Sequence, residues 1–499
     1  MMMKRIHILL IGVLFSLAAS AQGPKREFRG AWIQTVNRQF EGMTTDYMQK
    51  TLTAQLDSLQ KGGINAVMFQ VRPEADALYY SEIEPWSRFL TGTQGQAPSP
   101  YWDPLQFMIV QCHRRGMELH AWLNPYRVKT KTSTNLVSNH LYFREPERFF
   151  VYDDMIFFNP GIEKNRQFIC KIAADITRRY DVDGIHIDDY FYPYPVKGEA
   201  IPDEETFRAN DMGLKNIEDW RRYNVDLLVK ELHDSIVAVK PWVKFGVSPF
   251  GIYRNKKSDP MNGSDTNGLQ NYDELYADIL LWINKGWVDY SVPQLYWEIG
   301  HKAADYNVLV DWWAKHASAR PLFVGMDIER TVKNPDPSNP NRNQQIAKYR
   351  LMRSYPQIQG SCQWYAKLFV DNIANYRSLM QEVYHRNIAL QPLFLFKDAT
   401  PPAEVTKLMP VKMKEDGMVL CWTPPAYEGE MDKPVKYVVY RFNEGEEINL
   451  NNSENIYTVT KIPFAPLEVY NGKKKFVFVV TVLDRLNNES LPAKVAVKL

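Results

Sequence analysis

Cysteine is scarce: Cys112, Cys170, Cys362 and Cys421 are the only four in 499 residues, and no two form a Cys-x-x-Cys pair. That spacing excludes a zinc-ribbon signature and a dense disulfide framework, and it reads as buried thiols. An excess of one charge is also missing. Sixty basic residues against 58 acidic leave a net charge of +2, which points to neither nucleic acid nor an anionic membrane as partner. His113, His120, His140 and His186 form no HxxxH-like pair, no glycine-rich loop opens a helix, and no Gly-x-Ser-x-Gly elbow is present. Metal, nucleotide and serine-nucleophile chemistry therefore lack their motifs, and neither cofactor nor metal is expected. Long apolar runs are absent as well. Ile8 to Ala19 follows the basic stretch Met1 to Arg5 and leads into Ala19-Ser20-Ala21; it is shorter than the ~20 residues of a comfortable span and has the small residues that signal peptidase needs. Residues 1–21 read as a cleaved signal, with an uncleaved anchor as the rival. The mature chain is expected to be exported to the periplasm or envelope, without a transmembrane segment.

What is present is globular: 45% hydrophobic and 24% charged residues, enough for a large core. From Phe28 to Leu395, β-rich apolar runs alternate with amphipathic stretches, the pattern of repeated βα units. Eight strands are expected: Phe28 to Gln34, Ala66 to Val71, Glu118 to Leu123, Gly184 to Asp188, Lys244 to Phe250, Tyr290 to Trp297, Leu322 to Ile328 and Gly360 to Tyr365. Eight units over this length suit an α/β chain closed as a (β/α)8 TIM barrel, here residues 25–395. Three insertions, Tyr79 to Pro104, Val128 to Asn159 and Pro193 to Glu218, follow strands and so fall on the face where such barrels build their sites. Residues 396–402 read as a linker. Strand alternation in Met418 to Trp422, Val435 to Arg441 and Lys475 to Asp484 then predicts a small all-β sandwich over residues 403–499. Trp422 before Pro424-Pro425, followed by Tyr437 to Tyr440, resembles a fibronectin type III domain, which implies a spacer or binding role.

A parallel barrel works from the C-terminal ends of its strands. The residues ending the apolar runs are rich in polar groups: Gln34 and Asn37; Gln70, Arg72, Glu74 and Asp76; Asn124, Tyr126 and Arg127; Asp188-Asp189-Tyr190; Gln294, Tyr296, Trp297 and Glu298; Asp327 and Glu329; Gln363, Trp364 and Tyr365. The fifth strand, ending Ser248-Pro249, has no carboxylate. The sharpest segment is Asp183-Gly184-Ile185-His186-Ile187-Asp188-Asp189-Tyr190. Alternation puts Asp188 on the face of His186 and Asp189 on the other. Paired carboxylates suit glycosidic hydrolysis, where one acid protonates the leaving oxygen and a second attacks or activates water. Asp188 and Glu298 are the expected acids, with Asp189 beside them; Glu74 and Asp327 stand in reserve. A helix cap or ion pair is the structural alternative for Asp188-Asp189, and a loop Lys or Arg partner is that for Glu298. Arg72 would orient a carboxylate bidentately, while Gln70, Asn124 and Gln294 would bond sugar hydroxyls. Tyr126, His186 and Tyr296 are further expected substrate contacts. Trp32, Trp86, Trp122, Trp297 and Trp364 would offer ring faces to sugars, although large barrels also use such rings as core.

Four ordered motifs, Phe28-Arg29-Gly30-Ala31-Trp32, Phe69-Gln70-Val71-Arg72-Pro73, His120 through Arg127 and Asp183 through Tyr190, resemble the glycosyl hydrolase-like 10 family of bacterial envelope proteins. The resemblance covers roughly Lys25 to Leu395. It implies a TIM-barrel glycosidase acting on a glycan, with peptide-free peptidoglycan strands or another amino-sugar glycan as the expected substrate, and often a fibronectin-like tail. It also implies a catalytic carboxylate at the fourth strand, which is Asp188 here. A dietary, host or exopolysaccharide glycan, a glycan-binding barrel without turnover, and a single acid assisted by a substrate N-acetyl group all stay open. Oligomeric state has no sequence signal.

Overall fold

The computed structural model describes residues 23–317, 319–414 and 417–499; the expected signal segment lies outside them. Two compact units result, one formed by Arg29–Arg377 and the other by Ser378–Leu499 with the described residues up to Phe28.

The first unit is a closed barrel. Its strands are β1 (Phe28–Ile33), β2 (Ala66–Arg72), β3 (Glu118–Leu123), β4 (Gly184–Ile187), β5 (Lys244–Val247), β6 (Tyr290–Ser291), β7 (Leu322–Asp327) and β8 (Ile358–Trp364). They pair in parallel in the order β1-β8-β7-β6-β5-β4-β3-β2. Every residue of β2, β3, β4 and β5 is buried, because helices cover the outside while side chains fill the interior. Helices start on side-chain caps: Thr44 accepts from Tyr47 N–H before Thr45–Lys61, and Asp103 accepts from Gln106 N–H before Pro104–Arg114.

Two expectations shift. The sixth strand was expected to run to Trp297, but regular pairing stops at Ser291 because Pro293 has no N–H to give the ladder. Hydrogen bonds nevertheless continue, Val292 N–H to Val247 O at 2.8 Å and Leu295 N–H to Gly325 O at 3.0 Å, so the chain still rises to the barrel mouth. The Val128–Asn159 insertion was expected as a polar loop and instead holds a three-stranded antiparallel sheet, Arg127–Lys129, Met155–Phe158 and Phe149–Tyr152. Its hairpin turns at Asp153-Asp154, both at positive φ (47° and 55°) between Tyr152 and its partner Met155, the backbone a tight two-residue hairpin requires.

In the second unit, β9 (Thr406–Lys412), β10 (Met418–Thr423) and β13 (Phe464–Pro466) form one antiparallel sheet. β11 (Lys436–Asn443), β12 (Ile456–Thr460), β14 (Lys475–Leu483) and β15 (Ala493–Lys498) form the other. Leu420 and Trp422 from the first sheet share a core with Tyr437, Val439, Phe478 and Val480 from the second, the face-to-face packing of a sandwich.

Cys112, Cys170 and Cys362 are buried, Cys421 is half-buried, and all four are free thiols. Among the described residues no helix is long and apolar enough to cross a membrane.

Candidate active site

The barrel interior is a stack of polar groups that ends in two acids. At its base Lys244 Nζ donates to Glu118 Oε1 at 2.8 Å. His120 and Tyr290 lie above, and their rings need two glycines: a Cβ on Gly184 would meet His120 Nδ1 at 2.4 Å, and one on Gly246 would meet Tyr290 Cζ at 2.0 Å. Trp32 Nε1 lies 3.4 Å from His186 Nε2, and since an indole N–H only donates, that ring nitrogen must accept. The proton of His186 therefore sits on Nδ1 and is given to Tyr290 Oη at 3.1 Å; Tyr290 gives its own to His120 Nδ1 at 2.7 Å, and His120 Nε2–H reaches Glu118 Oε2 at 3.1 Å. Burial first, and then the neighbouring His120 imidazole, hold the His186 imidazole well below its usual range. His186 was expected to touch substrate. It is fully enclosed and instead supports the floor of the site.

Asp188 stands at the top of β4, 4% exposed. Its Oδ2 accepts from Trp122 Nε1 at 3.1 Å and from Asn124 Nδ2, whereas Oδ1 has a single long contact, Tyr190 N–H at 3.5 Å. Burial and the neighbouring Asp189 charge push the Asp188 carboxyl up to about 7, against the pull of Arg127. With Oδ2 occupied by two donors, Oδ1, which has only the long Tyr190 contact, is the oxygen better placed to carry a proton. Asn124 is itself held: its Oδ1 accepts from Gln70 Nε2 at 2.7 Å and Arg127 Nη2 at 2.6 Å, and Gln70 Oε1 accepts from Thr35 N–H at 2.8 Å. Gln70 and Asn124 were expected to bond sugar hydroxyls; both are fully buried and orient the acid.

Alternation was expected to send Asp189 away from Asp188, but β4 ends at Ile187 and alternation ends with it. Asp189 is 2% exposed, accepts from Tyr194 Oη, and is also hydrogen-bonded by Gln294. Burial raises its carboxyl; the Tyr194 and Gln294 bonds oppose that rise. Both carboxyls are thus raised, and the charge of Asp189 is one of the causes that push Asp188 up. Around them, Trp364 packs edge-on to Trp32 and Trp122 at 6.1 and 6.2 Å and stacks on Tyr296 at 6.0 Å. The half-buried Tyr296 hydroxyl feels both Asp188 and Asp189.

Other candidates are placed elsewhere. Arg72 does bind a carboxylate bidentately, but it is that of Glu84, at 2.7 and 2.6 Å, and its Nη1 goes to the carbonyls of Asn124 and Pro125. Neither Arg72 nor Tyr126 has exposed surface to offer a ligand, and Tyr126 is influenced by Arg166, Cys170 and Glu231. Glu74 is spent on Arg88, both bonds 2.9 Å, and on Thr130. Asp327 caps the helix Ile328–Lys333 through Arg330 N–H. Glu298 and Asp327 both act on the buried Lys348, whereas the carboxylate acting on Asp188 is Asp189. A cavity of about 370 Å³ lined by Glu84, His140, Arg144 and Phe158 contains neither acid. Sequence reasoning did not single out Tyr194, Glu84 or Phe250; for Tyr194 a signal existed, the run Tyr190-Phe191-Tyr192-Pro193-Tyr194 directly after the acid pair. Among the described residues no group of His, Cys, Asp and Glu is arranged to hold a metal.

The glycosyl hydrolase-like 10 family matches residues 27–343. The chain is similar to glycosyl hydrolase YngK of Bacillus subtilis (strain 168), 36% identical over 485 residues, 95% of this chain and 94% of that protein. It is also similar to glycosyl hydrolase DigH of Escherichia coli (strain K12), 39% identical over 332 residues, 62% of this chain and 74% of that protein. A solved glycoside hydrolase domain of PgaB (BpsB) from Bordetella bronchiseptica aligns with a TM-score of 0.48 at 12% identity, over 74% of this chain and 100% of that domain.

Proposed function

The chain belongs to the glycosyl hydrolase-like 10 family, and from that premise we propose that it is an exported glycosidase in which Asp188 is the general acid and an amino-sugar glycan of bacterial cell-wall type, free of peptide, is the substrate. The observation that carries this reading is the adjacent pair: Asp188 pushed up to about 7 with only one long contact on Oδ1, beside Asp189 held by Tyr194 and Gln294. Two carboxyls in unlike environments are the usual way to obtain an acid and a charged partner at one pH. Asp188 gives its proton to the leaving oxygen as the bond to the anomeric carbon breaks, and that bond's electrons stay with the oxygen. Ionised Asp189 stabilises the positive charge left on the sugar. Water completes hydrolysis, and its proton restores Asp188. An ionised acceptor also suits the N–H of a 2-acetamido group, which favours an amino sugar. Trp364 and Tyr296 offer ring surface to the sugar beside the acids. The basic and apolar start of the chain supports export, and the C-terminal sandwich reads as a fibronectin type III-like spacer.

The test is incubation of wild type, Asp188→Asn and Asp189→Asn with peptide-free peptidoglycan strands and a polysaccharide panel, with products followed by mass spectrometry. Wild type is expected to shorten the stripped strands and Asp188→Asn to lose about 10²–10⁴-fold in rate. An Asp188→Asn protein as fast as wild type would refute the acid assignment. Cleavage of another glycan alone would refute the substrate, and binding without cleavage by wild type would refute the enzyme.

A further inference from the structure

A second row of rings leaves the acid pair and is not needed for the chemistry just described. Tyr190 stacks on Tyr194 at 5.3 Å and 19°. Tyr194 packs edge-on to Phe250 at 6.1 Å, Phe250 to Trp297 at 5.4 Å, and Trp297 lies 6.4 Å from His301. The row crosses from the end of β4 past β5 to the loop beyond β6. All five rings are half-buried, unlike the enclosed Trp220, Trp282 and Trp313 of the scaffold; Tyr190 lies between Tyr194 and the Arg127 guanidinium, 4.9 Å over its ring, and so backs the row without offering it a face.

Trp297 is held at both its ring and its backbone. A Cβ on Gly251 would meet Trp297 Cζ3 at 2.5 Å, so the ring lies against a position that only glycine leaves open. Lys348 Nζ donates to the Trp297 carbonyl at 2.8 Å and to Thr331 Oγ1 at 3.1 Å. At the far end, His301 Nδ1 accepts from Ala303 and Ala304 N–H at 3.3 and 3.0 Å. Its proton is therefore on Nε2, where it can donate outward. Near the acids, the row is joined to the site through the bond from Tyr194 Oη to Asp189.

We propose that Tyr194, Phe250, Trp297 and His301, backed by Tyr190, form a run of stacking positions for successive pyranose rings of a glycan chain. The enzyme then cuts within chains instead of trimming terminal sugars. This rests on the glycosidase reading above. Aromatic faces bind the C–H faces of pyranoses, a row of them tolerates variation in the sugar substituents, and its continuity with Asp189 puts the chain in line with the acid pair. Long chains gain affinity from the row, and short ones that end beside the acids do not.

The experiment uses the whole chain and peptide-free peptidoglycan oligosaccharides from disaccharide to octasaccharide. It measures kcat and KM at each length for wild type, Trp297→Ala, Trp297→Phe and Phe250→Ala, together with binding of the same oligosaccharides to Asp188→Asn. The expected result is a kcat/KM that rises with length in wild type. Trp297→Ala should lower the octasaccharide-to-tetrasaccharide ratio by about tenfold through KM, with Trp297→Phe restoring part of it. Internal products should appear early in the digest. A ratio unchanged in both alanine variants, or release of terminal units only, overturns the proposal and leaves the acid pair standing. If wild type cuts no oligosaccharide, the glycosidase reading fails. Length-dependent binding to Asp188→Asn, lost on adding Trp297→Ala, would still support the row, and length-independent binding would overturn it.

Discussion

Replacing Asp188 with Asn should make the protein more stable above neutral pH. The Asp188 carboxyl lies at about 7 in the folded protein against an ordinary 3.8, so the native state keeps a proton that the unfolded chain releases between about pH 4 and pH 7. The unfolded state binds fewer protons across that window, and stability therefore falls as pH rises. This contribution is full below about pH 4 and gone by about pH 7. At about 1.4 kcal/mol for each tenfold change in proton affinity, the gap is worth at most about 4 kcal/mol, and an effect of about 2 kcal/mol remains if Asp189 and its partners adjust. Asn has nearly the same shape, and its Oδ1 can accept from Trp122 and Asn124 as Asp188 Oδ2 does without the charge that burial and Asp189 oppose. Urea unfolding at pH 5 and pH 8 measures the difference. Wild type should lose stability between the two pH values, Asp188→Asn should lose less, and the variant should be about 2–4 kcal/mol more stable at pH 8. Equal slopes, or a variant weaker than wild type at pH 8, would refute the placement of the proton on Asp188.

Asn124→Ala removes a donor to ionised Asp188, so the alkaline limb of the kcat/KM profile on glycan should move upward by about one pH unit; a limb that moves downward contradicts the network. Arg72→Met leaves Glu84 buried and unpaired and should cost about 3–5 kcal/mol in urea unfolding. The double variant Arg72→Met/Glu84→Leu should recover much of that, and an additive loss would show the pair is not the cause. Gly246→Ala drives a methyl into the Tyr290 ring and should cost about 1–3 kcal/mol by thermal melting.

The strands were legible because a buried parallel strand is an apolar run whatever surrounds it, and Glu118 to Leu123 matches residue for residue. Turn chemistry was missed: the hairpin at Asp153-Asp154 lies in a stretch that, counted by composition, reads as polar loop. The partners of charged residues were not. Arg72 is a residue able to hold a carboxylate, and it does, but the choice of Glu84 over Asp188 depends on how the loop after β2 folds back. Glu298 ends the sixth apolar run as a catalytic carboxylate would, and its charge acts on Lys348, which is brought there by the helix Gln345–Arg353.

Sequence by itself determined the eight repeats, the two-residue alternation that points His186 and Asp188 into the barrel, and the polar residues gathered at the strand ends, since each follows from local periodicity and the pleat of the backbone. Tertiary structure alone decided that the Asp189 side chain stays close to Asp188 where strand alternation would part them, that His186, Gln70 and Asn124 serve the acid from beneath and beside it, and that the Asp188 carboxyl is raised. Those properties arise from burial and from charges on chain segments far apart in sequence, which set the cost of ionising a carboxyl and leave no trace in the order of residues around it.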